Sequence, residues 1–324
     1  MVPVMDRPKP RRALKAPFRL RLKAWWHGHE LFLKRRAPAA GPLGQKDELR
    51  RRVTGYRDPE RPWETPRIRM LQAVWGEGFT GPGGPDHVLE LVKPLGLGPE
   101  MSMLHIGAGL GGPARAFVEA FGVWVAGVEC DHELAEAGMS LSTLAGMAKR
   151  APITPLELQR FELTPNSLDV ILASEILFAV IDKHRALREI EQALRVRGQF
   201  LFTDYVLNQR GQEDDPVLRA WAKKEPLTPH LWTAQEYARI LAEYKLDIRI
   251  TEDVTDTYRS LALRGWANYT EAVSETELDP EVAACLVQEA DLWARRIAAF
   301  DSGLLRVYRI YARKKAVDKM LSDW

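Results

Sequence analysis

The sequence contains little of what secreted, metal-bound or membrane-spanning proteins require. Only two of its 324 residues are cysteines, Cys130 and Cys285. Two cysteines are too few for a disulfide framework or a metal cluster, so we expect a reducing compartment and no bound metal. No run of about 18 apolar residues occurs, which excludes a spanning helix, and the first residues contain no uninterrupted apolar segment of the secretory type. These absences predict a cytoplasmic protein.

Charge is distributed unevenly along the chain. Residues 1–52 contain 15 Lys/Arg and only 4 Asp/Glu, whereas the whole chain contains 46 Lys/Arg and 44 Asp/Glu in near balance. We interpret residues 1–45 as a basic arm and linker, followed by one folded domain over residues 46–324. Within the arm, residues 18–36 interleave aromatic and aliphatic side chains with cations, as segments that bind an anionic membrane surface do. A peripheral membrane location is therefore one prediction. The alternatives are that the segment packs on the domain, or that the arm is a solvated tail.

From Met101 onward, strand-like and helix-like patterns alternate. Apolar runs of period 2 are followed by amphipathic stretches of period 3.6, as in repeated βαβ units. This predicts an α/β fold with a doubly wound, mostly parallel seven-stranded sheet and helices on both faces. The predicted strands cover residues 101–106, 123–128, 153–158, 168–173, 199–204, 246–250 and 304–311, and the predicted helices cover residues 113–121, 132–149, 182–195, 233–244, 256–271 and 280–300.

Three stretches interrupt or extend this alternation, and we interpret residues 46–95, 206–230 and 256–302 as helical cap elements. The first of them contains the glycine-rich loop Trp75–Gly84, which precedes a helix predicted from Pro85 to Lys93. This loop is either a ligand-binding segment or a tight connection packed by its two aromatic residues.

The stretch Met103–Gly112 runs from the first strand into a helix through four glycines. Gly107, Gly109 and Gly112 match the G-x-G-x-x-G spacing of a nucleotide site, where a bare backbone lets the ligand meet free N–H groups. Glu129 ends the next strand about 20 residues later, as expected of an acid that binds ribose hydroxyls. An NAD-type dehydrogenase and an S-adenosylmethionine (SAM) enzyme are the two candidates. The C-terminal part of the chain is a long, mainly helical region followed by a single last strand. This favours the SAM enzyme, because a dehydrogenase would continue with a second mononucleotide-binding half.

Polar residues gather where the predicted strands end. Because the carboxyl ends of parallel strands meet at one edge of the sheet, these residues predict a ligand site there. The polar residues are Glu129, Glu157, Ser174, Glu175 and Asp204, and Gly107 lies at the same edge.

Together these motifs resemble the class I SAM-dependent methyltransferases, and more narrowly the phosphoethanolamine and sarcosine/dimethylglycine N-methyltransferase group. The resemblance spans roughly residues 75–265. It implies a Rossmann-like fold with SAM as the cofactor and S-adenosylhomocysteine as its product. The motifs that carry it are Gly76-Glu77-Gly78-Phe79 with Gly83-Gly84, His105-Ile106-Gly107-Ala108-Gly109-Leu110-Gly111-Gly112, Ser167-Leu168-Asp169-Val170, Asp182-Lys183 and Thr203-Asp204-Tyr205.

The resemblance also implies roles for single positions. It places the methionine end of SAM against the glycine loop, the ribose at Glu129 and the adenine amino group at Glu157. Ser174 and Glu175 would lie beside the sulfonium. His105 is alternatively a packed strand residue. The implied cofactor-binding residues are His105, Gly107, Ala108, Gly109, Gly111, Glu129, Cys130, Glu157, Leu158 and Ser174.

One position departs from the phosphoethanolamine enzymes. Where those enzymes carry a histidine that helps to handle the acceptor's proton, this sequence has Ala179. An ammonium must lose its proton before its nitrogen can attack a methyl group, and a positioned base accelerates such a step by about 10²- to 10⁴-fold. Glu175, Tyr205 and Tyr56 are the candidate catalytic residues, with Asp204 as a further possible base.

The predicted function is in-line methyl transfer to the nitrogen of a small amine or of an amine-bearing lipid-like molecule. A nucleic-acid methyltransferase is the second candidate. Enzymes that methylate an amino group of a nucleic-acid base have an Asp/Asn-Pro-Pro-aromatic motif at the position where this sequence has Ala173-Ser174-Glu175-Ile176. Nucleic acid is therefore not expected as a partner. The third candidate is a SAM-binding regulator or scaffold without turnover. It is retained because Ala179 stands where the related enzymes have a histidine.

Overall fold

The computed structural model describes residues 49, 52–54, 58–273 and 277–315. Tyr56 and residues 18–36 of the basic arm therefore lie outside the described part of the chain. Among the described residues, no helix is long and apolar enough to cross a membrane. Nor does any group of three or more His, Cys, Asp or Glu side chains within these ranges have the placement that a metal ion needs.

The described residues form one seven-stranded sheet, whose strands are β1 (Ser102–Ile106), β2 (Trp124–Glu129), β3 (Ile153–Pro155), β4 (Leu168–Ser174), β5 (Leu194–Leu207), β6 (Leu246–Asp253) and β7 (Leu305–Lys314). Their order is β3-β2-β1-β4-β5-β7-β6. The first five strands are parallel, and β7 runs antiparallel between β5 and β6. The predicted doubly wound, mostly parallel fold is thus confirmed. The strand order reverses between β1 and β4, which is where open α/β sheets bind their ligands.

Alternation along the strands divides the core between the two faces of the sheet. In β4, Val170 and Leu172 join the apolar cluster on one face, whereas Ile171 and Ala173 join the cluster on the other. All four side chains are at most 1% exposed. This burial on both faces explains why the inner strands read as continuous apolar runs.

Nine helices flank the sheet within the described ranges: α1 (Pro66–Trp75), α2 (Gly84–Val92), α3 (Gly112–Phe121), α4 (His132–Leu144), α5 (Lys183–Ala193), α6 (Pro216–Ala222), α7 (Ala234–Glu243), α8 (Thr255–Ala272) and α9 (Pro280–Asp301). Several begin at a side chain that accepts a hydrogen bond from a free N–H of the first turn. At α7 this is a full capping box, because Thr233 caps the amide of Glu236 and the Glu236 carboxylate caps the amide of Thr233.

Three boundaries differ from the predicted ones for local reasons. Helix α4 ends at Leu144, five residues early, because Gly146 takes a left-handed conformation with φ +69°. Strand β3 ends at Pro155, which cannot donate to a further ladder bond. Strand β5 starts at Leu194, directly after α5, because this residue already pairs with Leu168 ahead of a register shift.

Four helices pack on one another next to the carboxyl ends of the strands. Helix α9 contacts α1, α6 and α8, and α8 also contacts α1. We call α1, α6, α8 and α9 the cap helices. They lie within the three stretches interpreted as cap elements, and they close one side of the candidate site.

Candidate functional site

A cavity of about 400 Å³ lies between the carboxyl ends of the strands and the cap helices. Strand β2 contributes its last residue, Glu129, and β5 contributes Thr203, whereas the cap helices contribute Leu71, Tyr258 and Trp293. This volume is within the range of pockets that bind small molecules and cofactors.

The glycine loop after β1 forms one wall of the cavity. Gly107 has φ +78°, and its amide donates to the carbonyl of Val128 at 2.9 Å. A Cβ atom at this position would lie 2.6 Å from the carbonyl oxygen of Ser174, so a side chain cannot be placed there without moving the backbone. The amide of Gly109 donates to Glu129 Oε2 at 2.7 Å. The loop and the acid of the second strand are therefore held together.

Glu129 is positioned as the sequence predicts for an acid that faces a ligand. It ends β2, lines the cavity and is 7% exposed. Its carboxylate accepts the amides of Gly109 at 2.7 Å and of Asp131 at 3.0 Å. The Cys130 thiol also donates to Oε1 at 3.4 Å. Because an ionised carboxylate offers about four acceptor directions, acceptor capacity remains on Oε2.

The structure brings six of the ten predicted cofactor-binding residues to the cavity. The other four are placed differently. Gly109 and Gly111 shape the loop at φ +53° and +75° without lining the cavity. Glu157 follows the short β3, is exposed and does not line the cavity, and the buried Leu158 does not line it either. The assignment of these four residues to a cofactor stays a prediction. The six that line the cavity are His105, Gly107, Ala108, Glu129, Cys130 and Ser174.

His105 is packed within the sheet and also lines the cavity. Its ring is fully buried within β1, and its Nε2 atom lies 2.9 Å from Ser174 Oγ. Burial lowers the pKa of His105 to about 4, so the imidazole is neutral near pH 7. It packs in the sheet and positions Ser174 at the wall of the cavity.

The second glycine-rich loop lines part of the cavity and is also packed by aromatic residues. Gly78 and Phe79 line the cavity, and the Gly78 carbonyl accepts the amide of Gly112 at 2.8 Å, which ties the two loops together. Trp75 instead packs among the cap helices, with its ring centroid 4.9 Å from that of Trp293 and 5.9 Å from that of Trp266.

Glu175 has an unusual environment directly after β4. It adopts φ +43°, a conformation that non-glycine residues seldom take and that is often kept at functional sites. Its amide donates to the carbonyl of Thr203 at 2.8 Å, and its side chain lines the cavity. Burial raises the pKa of Glu175 to about 7, and the negative charge of Asp204 adds to the shift. This carboxyl group can therefore both take up and release a proton near neutral pH.

The other candidate bases are less suited to that role. Tyr205 lines the cavity, but burial raises the pKa of its phenol, so it stays neutral; its oxygen lies 3.3 Å from that of Tyr258. Asp204 is fully buried and does not line the cavity. Its carboxylate accepts the amide of Phe178 at 3.0 Å and the hydroxyl of Tyr237 at 2.8 Å, so it holds the fold. Tyr56 lies outside the described residues.

The sequence analysis missed the charged residues that the cap helices bring to the cavity. Glu289, Trp293 and Arg296 project from α9, and Glu225 follows α6. Arg296 Nε and Nη2 bind the two oxygens of Glu225 at 2.6 and 2.7 Å. Residues 289, 293 and 296 are spaced by four and three, so one helix face carries them. This spacing is the signal in the sequence that could have identified the three residues as a group.

Comparisons with known proteins agree with this geometry. Residues 104–202 match the family model of a methyltransferase domain. Phosphoethanolamine N-methyltransferase 3 of Arabidopsis thaliana is 26% identical over 197 residues, covering 61% of this chain and 39% of that protein. Phosphoethanolamine N-methyltransferase 2 of Caenorhabditis elegans is 32% identical over 149 residues, covering 45% and 34%. The chain thus spans less than half the length of these two relatives.

A solved structure shows the same fold. Phosphoethanolamine N-methyltransferase 2 of Haemonchus contortus, in complex with SAM, superposes with a TM-score of 0.67 at 20% identity, covering 81% of this chain and 61% of that one. The resemblance to the class I SAM-dependent methyltransferases of the phosphoethanolamine group, and the Rossmann-like fold that it implied, are confirmed.

Proposed function

We propose that this chain, which carries a methyltransferase domain over residues 104–202, is a SAM-dependent methyltransferase acting on an amine nitrogen. The acceptor is a small amine or an amine-bearing lipid-like molecule. One observation carries the proposal: a single cavity is lined by Gly107 of the glycine loop, by Glu129 and by Glu175. The relatives named as phosphoethanolamine N-methyltransferases support the choice of nitrogen.

The residues around the glycine loop fit SAM. Gly107 leaves the backbone bare, Glu129 offers acceptors to ribose hydroxyls, and Cys130 and Ser174 complete that part of the wall. Burial and the neighbouring Glu129 carboxylate raise the pKa of Cys130 to about 12, so its thiol is a neutral neighbour and not a competing nucleophile. When bound, SAM supplies an electrophilic methyl group on a sulfonium.

Glu175 supplies the acid–base chemistry. Its carboxylate takes the proton of the incoming ammonium and frees the nitrogen lone pair for the methyl group. A pKa of about 7 leaves most of this group ionised at pH 8, where it acts as the base that Ala179 cannot provide. Phe79, Tyr205 and Tyr258 line the same cavity and limit the access of water to the reacting groups.

Transfer of label from methyl-labelled SAM tests the proposal against its two rivals. The protein is incubated with labelled SAM and a cell extract, and small molecules, lipids and RNA are then separated. We expect label in the small-molecule or lipid fraction and none without the protein. Label in RNA would support a nucleic-acid methyltransferase. Tight SAM binding with no transfer to any fraction would support a regulator or scaffold.

A further inference from the structure

The cavity is acidic, and its two arginines are already paired. The described residues that line it include five carboxylates and two arginines. Arg67, on the side of the glycine loop, binds Asp131 at 2.7 Å and Glu133 at 2.8 Å. The remaining arginine, Arg296, belongs to what we call the acceptor end of the cavity, where Glu175, Tyr258, Glu289, Trp293 and Arg296 meet.

Arg296 is bound by a buried carboxylate, which offsets its positive charge. Its Nε and Nη2 atoms bind both oxygens of Glu225 at 2.6 and 2.7 Å, and that carboxylate is only 1% exposed. The guanidinium carbon lies 4.8 Å from the ring centroid of Trp293 and 5.5 Å from that of Tyr205. Two of the five N–H donors of the guanidinium are thus committed to a buried carboxylate, and a phosphate that displaced this carboxylate would leave it without its partner, which is costly.

Glu289 brings a further carboxyl group to this end, and within the described ranges it forms no ion pair. The donor to its Oε1 is the neutral indole N–H of Trp293 at 2.9 Å. Burial raises the pKa of Glu289. The positive charge of Arg296 opposes this shift, so the two side chains are close enough to interact electrostatically. A cationic ligand beside this carboxyl group would stabilise its ionised form and be attracted to it, whereas an anionic ligand would oppose ionisation.

Aromatic rings complete the wall. Tyr258 and Trp293 lie with their ring centroids 6.1 Å apart and an interplanar angle of 30°, and both line the cavity. Ring faces attract ammonium groups, most strongly when water is excluded. Rings and carboxylates together are the chemistry that binds an alkylated ammonium.

We propose that the acceptor is an organic ammonium that carries no phosphate or carboxylate group, and that Glu289 selects for it. The inference rests on the methyltransferase function proposed above, and it separates this chain from the substrate in its relatives' names. Glu289 is a specificity residue here, whereas Glu175 handles the proton.

Calorimetric titration of three probes into protein saturated with S-adenosylhomocysteine tests this proposal. The probes are choline, its neutral isostere 3,3-dimethylbutan-1-ol, and phosphocholine. We expect choline to bind at least about tenfold more tightly than either of the others, as a charge-assisted contact implies. Glu289→Gln keeps an oxygen that can accept the hydrogen bond of the Trp293 indole, and it should lower the affinity for choline about tenfold. It should leave the affinity for S-adenosylhomocysteine and for the neutral isostere unchanged.

The matched control is Glu119→Gln, which changes an exposed acid of α3 outside the cavity and should alter none of these affinities. Tighter binding of phosphocholine, equal binding of choline and its isostere, or no choline binding would each overturn the inference while leaving the methyltransferase assignment standing. Failure to bind S-adenosylhomocysteine would overturn both. Retention of S-adenosylhomocysteine affinity in Glu289→Gln shows that this variant is folded.

Discussion

At the scale of single residues, the site is defined by buried carboxylates in different environments. Glu129 accepts two backbone amides at the glycine loop, whereas Glu175 has its pKa raised to about 7 by burial. The first environment suits hydrogen bonds to hydroxyl groups, and the second suits proton transfer. Both positions could be predicted from the sequence, because each follows an apolar strand directly.

Replacing Glu129 by alanine should weaken SAM binding by about ten- to a hundredfold. The loss of a charged acceptor for two hydroxyl donors costs about 1.5 to 3 kcal/mol. Calorimetry on Glu129→Ala, Glu129→Gln and the exposed control Glu119→Gln measures the loss of SAM affinity. Glu129→Gln should have an affinity between those of the parent and Glu129→Ala, because it keeps one oxygen. Parent-like affinity in Glu129→Ala would show that this acid does not bind the ribose.

Replacing Glu175 by glutamine should change how the rate depends on pH. A base must be ionised, and the pKa of Glu175 is raised to about 7 by burial. The parent's kcat/KM should therefore fall as the pH drops through 7. Glu175→Gln should lose that step, and its rate at pH 8 should be about 10²- to 10⁴-fold lower. A variant that keeps the step near pH 7 would assign the proton transfer to another group.

At the scale of elements, the strand ends were predictable and the contributions of the cap helices were not. Apolar runs that stop at a polar residue place Glu129 and Glu175 at the carboxyl edge of a parallel sheet. Glu289 lies more than 100 residues further along the chain. Only the packing of α9 on α1 and α8 brings it to the same cavity. Local periodicity predicts that a helix forms there, but not which strand ends it will face.

The sequence places Asp204 at the end of a predicted strand, where it could act as a base, but the residue lies within β5 and its contacts make it a structural residue. It joins β5 to the amide of Phe178 and to the hydroxyl of Tyr237 on α7. Asp204→Ala should lower the free energy of unfolding by at least about 2 kcal/mol, because two buried donors lose their acceptor. Urea denaturation measures this loss. An unchanged midpoint and slope would contradict the structural role.

At the scale of the whole molecule, the folded domain accounts for the cavity, and the basic arm is a separate question. Residues 18–36 lie outside the described residues, so we retain the proposal that they bring a cytoplasmic enzyme to an anionic membrane surface. The support is compositional: two adjacent tryptophans and several cations lie in this segment. Each cation near anionic lipid contributes about 1 kcal/mol.

Sedimentation with vesicles tests the role of the arm. The full chain should pellet with vesicles that contain anionic lipid, less so at high salt, and not with neutral vesicles. A variant that lacks residues 1–36 should stay in the supernatant and keep its SAM affinity. If the full chain stays in the supernatant at low salt, and the deletion instead costs stability or activity, the segment is part of the folded domain.

Direct titration of cofactors into the parent protein tests the central claim, that the glycine loop and Glu129 form a SAM site. Calorimetry should show SAM binding at one site per chain, with S-adenosylhomocysteine competing for it, and no binding of NADH under the same conditions. Absence of SAM binding, or tighter binding of NADH, would contradict the assignment of this chain as a methyltransferase.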